Sequence, residues 1–273
     1  MPAELASRGY RTIASYPADP SWLGAGAAFA AYGFDKTYFA KDLRLSGDWS
    51  ESDPDLVTRI IAEGVFERAH APLFLYLSTL ENHGPHPCAH FEVRSDFVTS
   101  FQGSAPFARD CALNEYIRRA ASTSKAMRIV LNRLKRVEIT TRRPYVLLVY
   151  GDHQPWSFTD GTYSVAGGLA NAGDMQSFAR FRQGDNQNIT FYHLISSKTG
   201  VTIGHFNDAI PTTLLPALLS AYAARDESDL FQPINFLAFR KCGSDYRRSS
   251  CPIRDGVDRW SRAGVLKRHA AVR

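Results

Sequence analysis

At 273 residues, with 44% hydrophobic and 12% aromatic content, the chain can bury a sizeable core as one large or two small domains. No run reaches the roughly 20 apolar residues that cross a bilayer, and "PAELASRGY" after Met1 lacks the apolar centre of a signal peptide, so it reads as a soluble chain without an address. The net charge of +5 would suit a phosphate-rich partner, but the basic residues are scattered and densest around Arg247, Arg248 and the C-terminus; no nucleic-acid footprint is read.

In chain order, "YRTIASY" after Gly9 predicts a strand over 10–16, and "AGAAFAAYGF" a short helix stopped by Gly33. "SDPDLVTRIIAEGVFERA" carries a capping Ser52, Pro54 in its first turn, and Leu56, Ile60, Ile61 and Val65 at helical spacing. "PLFLYLSTL" reads as a second buried strand running into the polar "ENHGPHPCAH". Leu113, Ile117, Ala120, Met127, Leu131 and Leu134 mark one face of a long helix with basic residues on its other side. "YVLLVYGDH" is a third strand, and the Gly-rich stretch from Gln154 to Asn188 a long loop or irregular insertion. "ITFYHLIS" is a fourth strand, and "AIPTTLLPALLSAYAA" a helix interrupted or begun late by Pro216.

Continuous apolar strands alternating with amphipathic helices predict an α/β fold, a mostly parallel central sheet with helices on both faces. Ligands in such sheets sit beyond the carboxyl ends of the strands, which predicts that "ENHGPH" and "GDHQP" share one rim. Asp152 and His153 pair a hard oxygen with an imidazole nitrogen, suited to Zn, Mn or Fe. A turn-capping aspartate beside a surface histidine fits the tripeptide as well. His83, in a tight turn with Asn82, Gly84 and Pro85, could bind an oxyanion or pass a proton near neutral pH; His86 and His90 could stand in for it. Of the four cysteines, Cys88, Cys111, Cys242 and Cys251, none forms a CxxC pair. "CGSDYRRSSC" permits a Cys242–Cys251 disulfide, and free thiols fit equally.

"PLFLYLSTLENHGPHP", the helix beginning "NEYIRRAASTSKAM" and "YVLLVYGDHQP" together resemble the sulfatase and alkaline phosphatase superfamily. The branch these segments most resemble is the lipoteichoic acid synthase-like phosphoglycerol and phosphoethanolamine transferases. The opening "LASRGYRTIASYPADPSWLGAGAAFAAYGFDKTYFA" is similar to that group's segment running from a "GY.T" strand to "GFd", and the likeness extends over Leu5 to Ala224. It implies a partial catalytic domain over 1–225, with 226–273 a tail packed on it. By this resemblance Asp152 and His153 are metal ligands, His83 contacts the phospho or leaving group, and His86 and Trp22 line the substrate. The implied cofactor is a divalent metal (Mn, Zn or Mg; Ca in sulfatase relatives) that polarises a phosphate or sulfate ester and activates a hydroxyl nucleophile.

The same resemblance places that nucleophile and a further carboxylate ligand upstream of the "GY.T" strand, which here begins soon after Met1. It therefore implies an incomplete ligand set, any membrane anchor in a missing N-terminal region, and little ester hydrolysis by this chain alone. Ser78, Thr79 and Thr159 read as turn or strand residues. Relatives carry an Arg where this chain has Gly24, Ala25 and Gly26 after Trp22. The implied setting is the extracytoplasmic face of the cell membrane and the substrate an envelope glycan or lipid; the alternative is a catalytically inactive, truncated binding module.

Overall fold

The computed structural model describes residues 1–48, 51–67, 71–84, 111–152, 192–197, 215, 216, 218 and 219. The described residues fall into two units, one within Met1–Arg143 and the other comprising Pro144–Asp152, 192–197 and the helical residues 215, 216, 218 and 219.

The first unit is a parallel sheet covered by helices on both faces. β1 (Arg11–Tyr16) lies between β2 (Lys36–Phe39) and β3 (Leu73–Leu77), with Ile13 opposite both Lys36 and Leu75. Having partners on both edges buries five of the six β1 residues. Alternation of side chains then sorts the sheet into two faces. Tyr16, Phe39, Phe74 and Tyr76 meet Phe29 of α2 (Ala25–Tyr32) and Phe34, with ring centroids 5.9–6.3 Å apart. Ile13, Tyr38, Leu73, Leu75 and Leu77 pack instead on Leu56 and Ile60 of α3 (Asp53–Ala62) and on Leu134 and Val137 of α4 (Cys111–Thr141).

Local chemistry sets the element ends. Ser52 caps α3 by accepting from the Asp55 amide, with Pro54 in the first turn where a missing N–H costs nothing. Gly33 ends α2 in the left-handed region, φ 77°, and a Cβ there would lie 2.6 Å from Ala3 Cβ of α1 (Pro2–Ser7). Thr12 and Asp35 lock β1 to the start of β2 reciprocally. The Thr12 amide donates to Asp35 Oδ2 at 2.8 Å, and the Asp35 amide reaches Thr12 Oγ1 at 3.0 Å. The Thr of "GYRT" and the Asp of "GFD" therefore hold the sheet edge together.

In the second unit, β4 (Val146–Tyr150) pairs antiparallel with β5 (Tyr192–Ser196), Leu148 opposite Leu194. Val146, Leu148, Tyr192 and Leu194 pack on the helical Leu215 and Leu218. Ser197 closes the pair at Tyr145, donating its amide to the Tyr145 carbonyl and accepting the Tyr145 amide on Oγ.

The structure adds to the sequence-based reading in three places. α1 and the four-residue β2 were not anticipated, because neither is long enough to show a period. The fourth strand is antiparallel to the third, in a sheet separate from β2–β1–β3. An apolar run carries no direction, although the in-and-out burial of β5 is that of a strand wet on one face. The inward face of α4 is also not apolar throughout: its first turns bury Glu115 and Arg119. His86, His90, His153, Cys88, Cys242, Cys251, Thr159 and the tail from 226 lie outside the described residues. Among the described residues no helix is long and apolar enough to cross a membrane.

Candidate functional site

The carboxyl ends of the three parallel strands open on one rim. β3 runs there into Ser78–Gly84, the "STLENHG" turn, and β1 into the segment carrying Trp22. Leu80 joins the two, packing in one apolar cluster with Tyr16, Ala18 and Trp22. Trp22 stacks on Tyr16 at 5.7 Å between centroids and 16° between planes, so one face of its ring is committed to packing. The small residues after it have a steric cause. The chain doubles back so that the Gly26 amide donates to the Pro20 carbonyl at 2.8 Å, and a Cβ on Gly26 would sit 3.1 Å from Pro20 Cβ.

His83 is exposed at the tip of the turn. Its amide donates to the Leu80 carbonyl at 2.8 Å, and its Nδ1 lies 2.5 Å from the Gly84 carbonyl. A carbonyl can only accept, so in this arrangement Nδ1 carries the proton.

Beneath His83 lies a buried polar network that sequence reasoning missed. Asp53, Glu81, Glu115 and Arg119 are all nearly inaccessible. The Asp53 amide donates to Glu81 Oε2 at 2.8 Å, and the Glu81 amide returns to Asp53 Oδ1 at 3.3 Å. From α4, Arg119 donates to the carbonyls of both Glu81 and His83, at 3.0 and 3.2 Å, and through Nε to Glu115 at 2.8 Å. Arg118 forks onto Glu115 with two contacts of 2.7 Å and also approaches Glu81. Thr123 donates to Asp53 Oδ2 at 2.6 Å, and Tyr116 hydrogen-bonds Asn82. Each residue of "ENH" thus has a partner on α4. The signal for this was "NEYIRR", where Glu115, Arg118 and Arg119 stand at i, i+3 and i+4 on one helix face.

Electrostatics sort the three carboxyls. Burial pushes Asp53 up to about 6, with the Glu81 charge adding to it and the Thr123 hydroxyl opposing. Arg118, with Arg119, holds Glu115 down at about 2 against its own burial. These carboxylates are engaged by guanidinium, hydroxyl and backbone donors and do not make a metal site. Among the described residues no group of three or more His, Cys, Asp and Glu is disposed to bind an ion. Asp152 follows Gly151 at the end of β4 in the second unit and is exposed.

The model of the family described as "Sulfatase" matches residues 1–177. The chain belongs to the sulfatase family. The fold of this sulfatase-family chain is similar to that of the Streptococcus pyogenes phosphoglycerol transferase GacH, solved with sn-glycerol-1-phosphate. That match has 16% identity and a TM-score of 0.55, and covers 92% of this chain and 59% of GacH. The lipoteichoic acid synthase LtaP from Listeria monocytogenes matches at 20% identity and a TM-score of 0.48, over 71% of this chain and 45% of LtaP. An alkaline phosphatase superfamily protein from Vibrio parahaemolyticus matches at 19% identity and a TM-score of 0.38, over 56% of this chain and 35% of that one. The chain thus spans less than two thirds of each solved relative. No curated protein matches it.

Proposed function

We propose that this sulfatase-family chain carries part of the catalytic centre of a phosphoester transferase or hydrolase. The observation that carries the reading is the presentation of His83. An exposed imidazole with its tautomer set by Gly84 is held at the carboxyl rim of a parallel sheet by a buried network reserved for its turn. In this reading Nε2 meets the phospho group or its leaving oxygen, and Trp22 and His86 flank the substrate. Asp152 and His153 supply an oxygen and a nitrogen to a divalent cation of the Mn, Zn or Mg type, as an incomplete set to which other residues must add. The family membership and the glycerol phosphate named with GacH support a phosphate ester as substrate class. An envelope glycan or lipid at the extracytoplasmic face is the setting we infer.

The test is titration of the chain with sn-glycerol-1-phosphate, followed at the His83 ring by NMR, with glycerol as control. A charge-assisted hydrogen bond from the imidazole is worth about 1.5–3 kcal/mol, so His83→Gln should weaken binding at least about tenfold. Equal affinity for glycerol, or no loss in His83→Gln, refutes the reading. Binding without turnover of an aryl phosphodiester identifies a binding module, and turnover that survives in Asp152→Ala removes the metal role.

A further inference from the structure

The second half of α4 carries a feature unrelated to the His83 turn. Between Lys125 and Arg143 the chain has seven Lys or Arg and one acid, Glu138. Lys125, Arg128, Asn132, Lys135, Arg136 and Ile139 are all exposed, and at 3.6 residues per turn they fall within an arc of about 100°. The helical part of this strip, from Lys125 to Thr141, is about 24 Å long, and the exposed Arg142 and Arg143 follow just past the helix end. The opposite side of the same helix packs Leu134 and Val137 into the core, which holds the strip outward on a rigid element.

Among the described residues the ion pairs of α4 are confined to Arg118, Arg119 and Arg133, the last with Glu67. Ile139 stands within the strip at 79% exposure. An exposed isoleucine among cations gains nothing from phosphates in water. It does gain at a boundary where headgroup phosphates lie above acyl chains, and long Lys and Arg stems can lie along that boundary with their charges raised to the phosphates. We propose that this face of α4 docks on an anionic lipid bilayer, with the cations against headgroup phosphates and Ile139 entering the interface. A membrane surface matches the strip in being flat, extended and negative, whereas the strip offers no aromatic side chain on which nucleic-acid bases could stack. The inference stands independently of the His83 reading.

The experiment is sedimentation of the chain with vesicles of phosphatidylcholine containing about one third phosphatidylglycerol, against vesicles of phosphatidylcholine alone. Each cation near such a surface contributes about fivefold in partitioning, so Lys135→Gln with Arg136→Gln should lower binding about 25-fold. The same charge change made elsewhere, Lys41→Gln with Arg44→Gln, should alter it only a few-fold. Ile139→Ser should weaken vesicle binding while leaving binding of soluble polyphosphate unchanged. Equal losses in the two double variants, no preference for anionic vesicles, or tighter binding to duplex DNA than to vesicles at equal salt would each overturn the proposal.

Discussion

Replacing Asp53 by asparagine tests the buried network through its pH dependence. The new side chain would keep an oxygen for the Glu81 amide, and its NH2 would face the Thr123 hydroxyl, which can accept, so these two of its three hydrogen bonds survive, the third being with the Thr79 side chain. What disappears is the ionisation. The Asp53 carboxyl is raised from its ordinary 3.8 to about 6, chiefly by burial, so the folded chain holds this proton more tightly than the unfolded one. A raised pKa contributes stability that is fully present below about pH 4 and is lost as pH rises through about 6. At 1.36 kcal/mol per pH unit, ionising Asp53 in the fold costs about 3 kcal/mol, reached near pH 7 and constant above it. Urea unfolding of both proteins at about pH 4, 5.5 and 7.5 measures this, because titrating groups that do not interact with Asp53 cancel in the difference. The Asp53→Asn variant should gain about 2 kcal/mol on the wild type across that range, because a fraction of the cost is already present at pH 4. A difference independent of pH, or a wild type that gains on the variant as pH rises, would refute the reasoning.

Arg119→Met removes the donor shared by the Glu81 and His83 carbonyls and one partner of Glu115. It should cost about 3 kcal/mol in urea unfolding and shift the His83 ring resonances, whereas a change under about 1 kcal/mol would mean the turn holds itself. Gly33→Ala forces a side chain into the left-handed region and against Ala3, so it should destabilise by about 2 kcal/mol or more. A melting temperature within a degree or two of wild type would show that α1 moves aside freely.

Much of this molecule was legible in its sequence, and the reason is local. Ser52 with Pro54, Gly33, and the apolar runs of β1, β3 and β4 act through contacts a few residues apart, so each predicts its element without reference to the rest. The "NH" turn was legible as well, since His83 is placed at a strand end by its own neighbours. The tertiary structure alone decided what lies under that turn. Asp53, Glu81 and Arg119 are separated by 28 and 38 positions, and nothing in the spacing of single charges marks them as one buried group. Each charged residue, read alone, belongs on the surface, and only folding α3, β3 and α4 against one another supplies the partners that let these stay inside. Strand direction was decided at the same level. Whether β5 runs with or against β4 depends on the direction in which the chain returns to the sheet, and the hydrophobicity of its side chains is the same either way.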